Sequence, residues 1–255
     1  MTTIPATPPE GQIVTEARDG VLLIGIFSWF RECYPAEGCG LIDGQGRWVP
    51  MANVATDPAR AFRMAPGMAQ AHGARAILHS HPNGWRCPSR TDMEAQAASG
   101  LPWGIVWIGD QTIEPPFWWD DQPRDPTGQG WRSGVHDCFN LIRWGLMRHG
   151  AQVPDVPRRP MSGAETGAAI RARVVQLRGL EVDDPYRAGD VLLFGRTAPH
   201  LGIIEPSGQV LHHPGPVDVD YAPENLPVRT PLSALRRGLI QARWRHASLA
   251  TRSAA

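Results

Sequence analysis

Apolar and polar positions alternate along this chain in short, well-punctuated segments. Over residues 16–33, Val21, Leu22, Ile24, Ile26, Phe27 and Phe30 recur at helical spacing, and Tyr34-Pro35 ends the pattern. Residues 38–42 then read as a strand entering the Asp43-Gly44 turn, 76–79 as a second strand and 104–109 as a third. Between the last two, Ser89-Arg90-Thr91-Asp92 opens a polar-capped helix running to about Ser99. The first half is therefore an alternation of helix and strand.

In the second half, apolar residues at 138, 141, 142, 145 and 146 predict an amphipathic helix, with Asp137 as its N-cap and Cys138 in its first turn. Far downstream, 188–194 read as a turn followed by a strand. Residues 199–204 and 209–213 pair around Pro206-Ser207-Gly208, a hairpin expected to set His200 and His212 on adjacent strands facing the helix. The two halves meet in 111–134, a stretch with four prolines and the aromatics Phe117, Trp118, Trp119 and Trp131. Such a segment cannot continue a helix or a central strand, so the boundary is expected there: one domain over 1–110, a linker over 111–130 and a second domain over 131–255. Its aromatics suggest packing on a surface rather than a free tether.

Length agrees, since 255 residues suit one large domain or two small ones. Composition excludes collagen-like, disordered and disulfide-scaffold classes. The start is Pro/Thr-rich without a basic segment leading into an apolar one, so no secretory signal is expected. The most apolar run, 21–30, is about half the ~20 residues of a membrane span. Cys33, Cys39, Cys87 and Cys138 are too irregularly spaced for a disulfide framework and read as reduced thiols of a chain made in a cytoplasm. All 25 basic residues are Arg, matched by 25 acids. The surplus of five positive charges over 131–255 (16 Arg against 11 acids) reads as a solvated surface, so no nucleic-acid partner is expected.

The first cluster with chemistry is His79-Ser80-His81, then seven residues, then Ser89-x-x-Asp92. Two histidines at i and i+2 of an extended segment point to one side, and a loop returning to a helix start can bring Asp92 to the same point. Two His, one carboxylate and an open position for water make a hydrolytic zinc site. The alternative is a surface histidine pair beside a capping Ser89. In the second half, a helix N-terminus favours a thiolate, and a Cys with a His oriented by a third polar group is the logic of a thiol peptidase. Cys138 is thus expected to be largely thiolate at neutral pH and the first thiol alkylated. The alternative is a buried helix cysteine with loop histidines.

With Glu37 upstream, the first motif resembles that of the JAB/MPN metalloprotease family over about 15–110. That resemblance implies a cytidine-deaminase-like mixed sheet with helices, zinc on His79, His81 and Asp92, Glu37 as general base, and Ser89 polarising the substrate carbonyl. Cys39 and Cys87 lie near but are not expected to be ligands. The pattern Asp137-Cys138-Phe139-x-Leu141, Gly189-Asp190-Val191-Leu192, His200-Leu201-Gly202-Ile203 and a His twelve residues on resembles the NlpC/P60 papain-like cysteine peptidases over about 131–247. It implies Cys138 as nucleophile, His200 as base and His212, or its competitor His213, as the orienting residue. Phe139-Asn140 depart from the Ser-Gly usual after that cysteine.

The combination resembles the tail assembly protein K family of long-tailed phages, including prophage and gene-transfer relatives. This implies an α+β or α/β chain of two domains, located at the virion tail tip and acting at the periplasm and cell wall. Its implied partners are other tail-tip proteins, whether hub, tape-measure or fibre components, and host peptidoglycan, with hydrolysis of stem peptides at a D-Glu–diaminopimelate type bond. The competing reading is a structural tail-tip adaptor with vestigial catalytic sites.

Overall fold

The computed structural model describes residues 12–13, 24–158, 166–195, 199–215, 219–235 and 239–250. The chain divides into two compact units, Met1–Arg86 with Glu94–Asp120 and Cys87–Met93 with Asp121–Ala255. No helix among the described residues is long and apolar enough to cross a membrane.

In chain order, the first elements are β1 (Gln12–Ile13), α1 (Ile24–Cys33), β2 (Cys39–Ile42), β3 (Arg47–Met51), α2 (Met68–Ala71), β4 (Ala76–Pro82), α3 (Arg90–Ser99), β5 (Trp103–Ile108) and β6 (Phe117–Trp119). The expected helix over 16–33 is seen from Ile24; 16–23 lie outside the described residues. The strands form one mixed sheet in the order β1-β3-β2-β4-β5-β6. Only β4 and β5 run parallel, joined through α3, as a crossover requires. One parallel pair in an otherwise antiparallel sheet makes this an α+β unit.

Alternation gives the sheet two different faces. Ile42, Trp48, Ala76, Leu78, Val106 and Ile108 face α1, which buries Ile26, Trp29, Phe30 and Cys33 against them. Cys39, Leu41 and Met51 gather on the other side with Phe62 and Met64. The histidines of β4 share that second side. Within 111–130, Phe117–Trp119 pairs with β5 at the edge of the sheet, and the units part after Asp120. The Pro-rich stretch is therefore partly structural; an edge is where a strand tolerates flanking prolines.

The second run of elements is β7 (Trp131–Arg132), α4 (Cys138–Arg148), α5 (Thr166–Gln176), β8 (Gly179–Glu181), β9 (Val191–Phe194), β10 (His200–Ile204), β11 (Gln209–His212), β12 (Tyr221–Ala222), β13 (Val228–Pro231), η1 (Leu232–Ala234), β14 (Ile240–His246) and α6 (Ala247–Ala250). Six strands form an antiparallel sheet in the order β13-β11-β10-β9-β14-β8. The hairpin around Pro206–Gly208 pairs Gly202 with His212 and Ile204 with Val210.

α4 and α5 cover one face, where Phe139, Leu141, Ile142, Ile170 and Val174 meet Val191, Leu193, Leu201, Ile203 and Trp244. Gly145 lets α4 lie close, since a Cβ there would stand 2.7 Å from the Ile203 side chain. The opposite face holds Leu192, Phe194, Ile204 and Val210.

Candidate functional site

His79 is fully buried on β4, stacked on Phe62 with ring centroids 4.3 Å apart and edge-on to Trp103. Its Nε2 lies 3.1 Å from Nε2 of His81. His81 Nδ1 lies 2.8 Å from the Trp85 carbonyl oxygen. A carbonyl only accepts, so Nδ1 carries the proton and Nε2 is left bare, the arrangement that orients a metal-binding histidine.

Asp92 stands in the first turn of α3. The Ser89 amide donates to Asp92 Oδ2 at 2.7 Å, and the Asp92 amide donates to Ser89 Oγ at 3.1 Å. This reciprocal capping fixes the carboxylate's position. The ligand atoms of His79, His81 and Asp92 all lie within 4.8 Å of one another, and all three residues are buried. Among the described residues no other group of three His, Cys, Asp or Glu converges in this way.

Zinc fits this group. Nitrogens about 2.0–2.1 Å from a tetrahedral zinc stand about 3.3 Å apart, and the two Nε2 atoms are 3.1 Å apart. Two imidazoles and a carboxylate are also zinc's own donor set.

Glu37 lies just before β2. Cys39 pairs with His79, and Gly38 continues the ladder, its carbonyl accepting from the Ser80 amide at 3.0 Å and its amide donating to Ser80 Oγ at 2.9 Å. Glu37 is the next residue before Gly38, just outside the strand pairing. Glu37 is buried, and its backbone is held by the Pro58 carbonyl and the Asn53 side chain. It stands outside the converging triad, as do Cys39 and Cys87. Burial pushes the Cys39 thiol up to about 12 and raises that of Cys87 as well.

Asp137 is the N-cap of α4, accepting from the Asn140 and Gly134 amides at 2.9 Å each. Arg158 closes on it with two bonds, Nε to Oδ2 at 2.8 Å and Nη2 to Oδ1 at 3.0 Å, and with its third nitrogen reaches Asp155 at 2.7 Å. Asp155 also pairs with the buried Arg143 at 3.4 Å, and Arg143 donates to Asn140 Oδ1. Burial opposes ionisation of Asp137, but the Arg158 guanidinium and the two amides outweigh it and hold the carboxyl at about 2. Neither Arg158 nor Arg143 carries a signal in the sequence pattern that points to this corner.

The thiol departs from expectation. Burial, and then the Asp137 carboxylate, push Cys138 up to about 11, against the pull of the Leu201 amide and of Arg158 and Arg173. Part of the residue reaches solvent, but the protein around the sulphur is dense enough to penalise an anion. The helix end alone does not make a thiolate here.

His200 and His212 do come together, with His200 Nε2 and His212 Nδ1 3.1 Å apart. His213 goes elsewhere: its Nε2 bonds the Asn225 carbonyl at 2.7 Å, and its ring lies against Trp131. The hairpin does not face α4 with these rings. Leu201 and Ile203 occupy the helix side, so alternation turns His200, Gly202 and His212 to the opposite face, where Phe194 contacts both histidines. Cys138 meets the sheet at the start of β10, through the Leu201 amide.

Residues 22–121 match the family described as prokaryotic homologs of the JAB domain. Over 186 residues the chain is 31% identical to tail tip assembly protein K of Escherichia phage lambda, covering 67% of this chain and 81% of that protein. The chain belongs to the tail tip assembly protein K family. The protein of the same name from Escherichia phage N15 is 28% identical over 196 residues, covering 71% of this chain and 79% of that one.

The JAB match of this tail tip assembly protein K homologue contains Glu37, His79, His81, Ser89 and Asp92. The 186 residues aligned with the lambda protein exceed that match, so the likeness runs on into the second half.

The thiols of this family member give a direct measurement. Burial pushes Cys33 and Cys39 to about 12 and Cys138 to about 11, and only Cys138 of the four cysteines is part-exposed. In the native protein at pH 7.5, iodoacetamide is expected to label Cys138 before the other three, yet more slowly than a free cysteine of pKa about 8.5. The rate should climb as pH passes 9. Mass-spectrometric mapping that finds Cys138 faster than a free thiol at pH 7.5 would restore the thiolate.

Proposed function

We propose that the chain is a tail-tip assembly protein with two peptidase sites, one zinc-dependent and one thiol-dependent. The convergence of His79, His81 and Asp92 carries the reading. These three would hold zinc, which supplies Lewis acidity toward water and a peptide carbonyl. Glu37 receives a proton from water and returns it to the departing amine. Ser89 Oγ accepts the Asp92 amide but keeps its own proton, which it donates to the substrate carbonyl. The substrate is an assembly partner among the hub, tape-measure or fibre proteins of the tail tip.

In the second half, a papain-like peptidase of the NlpC/P60 kind acts on peptidoglycan stem peptides at the cell wall, at a D-Glu–diaminopimelate type bond. Cys138, which meets β10 at the Leu201 amide next along the strand from His200, passes its proton to His200, and its sulphur bonds the carbonyl carbon. The amine leaves with that proton, and water releases the acyl group. His212 orients His200, a role supported by their 3.1 Å contact. A structural tail-tip adaptor is the second reading, favoured by the thiol at about 11, which is protonated at neutral pH.

Digestion of purified sacculi separates the readings. Wild-type protein and Glu37→Gln are expected to release stem peptides, and Cys138→Ala is not. A chelator should spare this activity and a thiol alkylator abolish it. Digestion by Cys138→Ala at the wild-type rate would assign the cell-wall chemistry elsewhere, and no digestion by any variant would leave the adaptor.

A further inference from the structure

One short turn of chain, 82–86, decides which nitrogen His81 offers. Its Nδ1 contact ends on the Trp85 carbonyl, which only accepts, so Nδ1 carries a hydrogen in every protonation state that keeps the contact. The nitrogen offered to a metal is then Nε2. This depends on where the Trp85 carbonyl points, and the turn is not stiff by itself. Asn83 sits in the left-handed region at φ 54°, and Gly84 has the fewest steric restrictions of any residue type.

Both neighbours of Trp85 are held by one side chain. Trp107 pairs with His81 across β4 and β5, so its indole leaves the same face of the sheet. Its Nε1, which can only donate, gives a hydrogen bond of 2.9 Å to the Gly84 carbonyl. The Arg86 guanidinium lies over the same ring, 3.9 Å from its centroid, inside the ~6 Å reach of a cation–π contact. Arg86 Nε also meets Glu114 Oε1 at 2.8 Å, and the Glu114 amide donates to the Trp107 carbonyl at 2.9 Å. Glu114 thus ties Arg86 back to Trp107. The Asn83 amide, bonded to the Ile108 carbonyl at 2.8 Å, fixes only the entry to the turn.

We propose that Trp107 is a positioning residue, its indole holding Gly84 and Arg86 so that the Trp85 carbonyl keeps the His81 Nδ1 hydrogen and Nε2 is presented to zinc. Trp107 is not one of the three converging residues and acts through the turn. A histidine ligand whose second nitrogen is fixed in this way binds its metal more tightly than one free to rotate. The inference deepens the zinc reading and rests on it for the use of His81.

The test uses the full chain. Zinc affinity, read by competition with a chromogenic chelator, is expected to fall about tenfold in Trp107→Phe, the lower end of what loss of an outer partner costs. Phenylalanine keeps a ring under Arg86 and removes the N–H. Arg86→Met loosens the same turn without touching the indole, and decides the matter by the same readouts if Trp107→Phe does not fold. Trp118→Phe is the control, since Trp118 packs with the α1 side of the sheet, and should bind zinc as the wild type does. In metal-free protein labelled with 15N-histidine, with His81 assigned through His81→Gln, the wild type should show Nδ1–H on His81 and Trp107→Phe a mixture of tautomers. Wild-type affinity or tautomer in Trp107→Phe, an equal loss of affinity in Trp118→Phe, or Nε2–H on His81 in the wild type overturns the inference. A wild type that takes up no zinc overturns the zinc reading instead, and the nitrogen shifts of the metal-free protein still decide the role of Trp107.

Discussion

Purified in the presence of zinc, the chain is expected to carry about one ion per molecule, as a three-ligand site with an open position does, and Asp92→Ala is expected to lose it. Asp92 is the only anion among the three converging residues, and two neutral imidazoles alone cannot offset the ion's charge. The loss in affinity should exceed the roughly 10–100-fold that removal of an outer partner costs. The same carboxylate caps α3 through the Ser89 amide, so Asp92→Ala also removes about 1 kcal/mol of hydrogen bonding. Asp92→Asn separates the effects: its amide oxygen still accepts from Ser89, but it is a poor ligand. Elemental analysis with thermal unfolding should find Asp92→Asn metal-poor and stable. Full zinc in Asp92→Ala, or none in the wild type, would remove the metal centre.

The second large effect belongs to Arg158. Replacing it by Met leaves Asp137 buried without its bidentate partner, and breaking such a pair costs about 3–5 kcal/mol. For a unit of this size the melting temperature should fall by roughly 10–20 °C. Replacing Asp137 and Arg158 together by apolar residues should recover much of the loss, because no uncompensated charge remains. A single variant that melts within a few degrees of the wild type would show the pair to be energetically idle.

The pair also predicts an acid limb. Asp137 is held at about 2 against its ordinary 3.8, so the folded state binds the proton more weakly than the unfolded one. The stabilisation is complete above about pH 4 and is lost as pH falls toward 2, a change of about 2 kcal/mol for one group. In Arg158→Met that limb should shrink.

The His79, His81 and Asp92 cluster was legible because its parts are local. His79 and His81 share a strand face by alternation, and Ser89 announces the helix start that carries Asp92. Glu37 stands outside that cluster, and only the motif spacing pointed to it. The thiol half was legible only as far as adjacency. Asp137 as N-cap follows from its side chain, but its buried partner Arg158 is twenty-one residues away, brought back by a loop with no periodic signal. The face taken by His200 was legible and misread: Leu201 and Ile203 are the residues a helix would bury, which turns His200 away from it. Desolvation of Cys138 depends on three-dimensional density, which a helix-end argument does not contain.

Asp137 joins two properties that protein chemistry usually adjusts separately. Its charge anchors Arg158 and the start of α4, and the same charge is among the causes that keep Cys138 protonated. Neutralising it would ease ionisation of the sulphur and loosen the helix in one step. Sequence drift at position 137 is therefore confined to a ridge between a firm but sluggish nucleophile and a keener one on a weaker scaffold. Faster thiol chemistry in this fold is more accessible from positions that touch the sulphur's environment without touching Arg158.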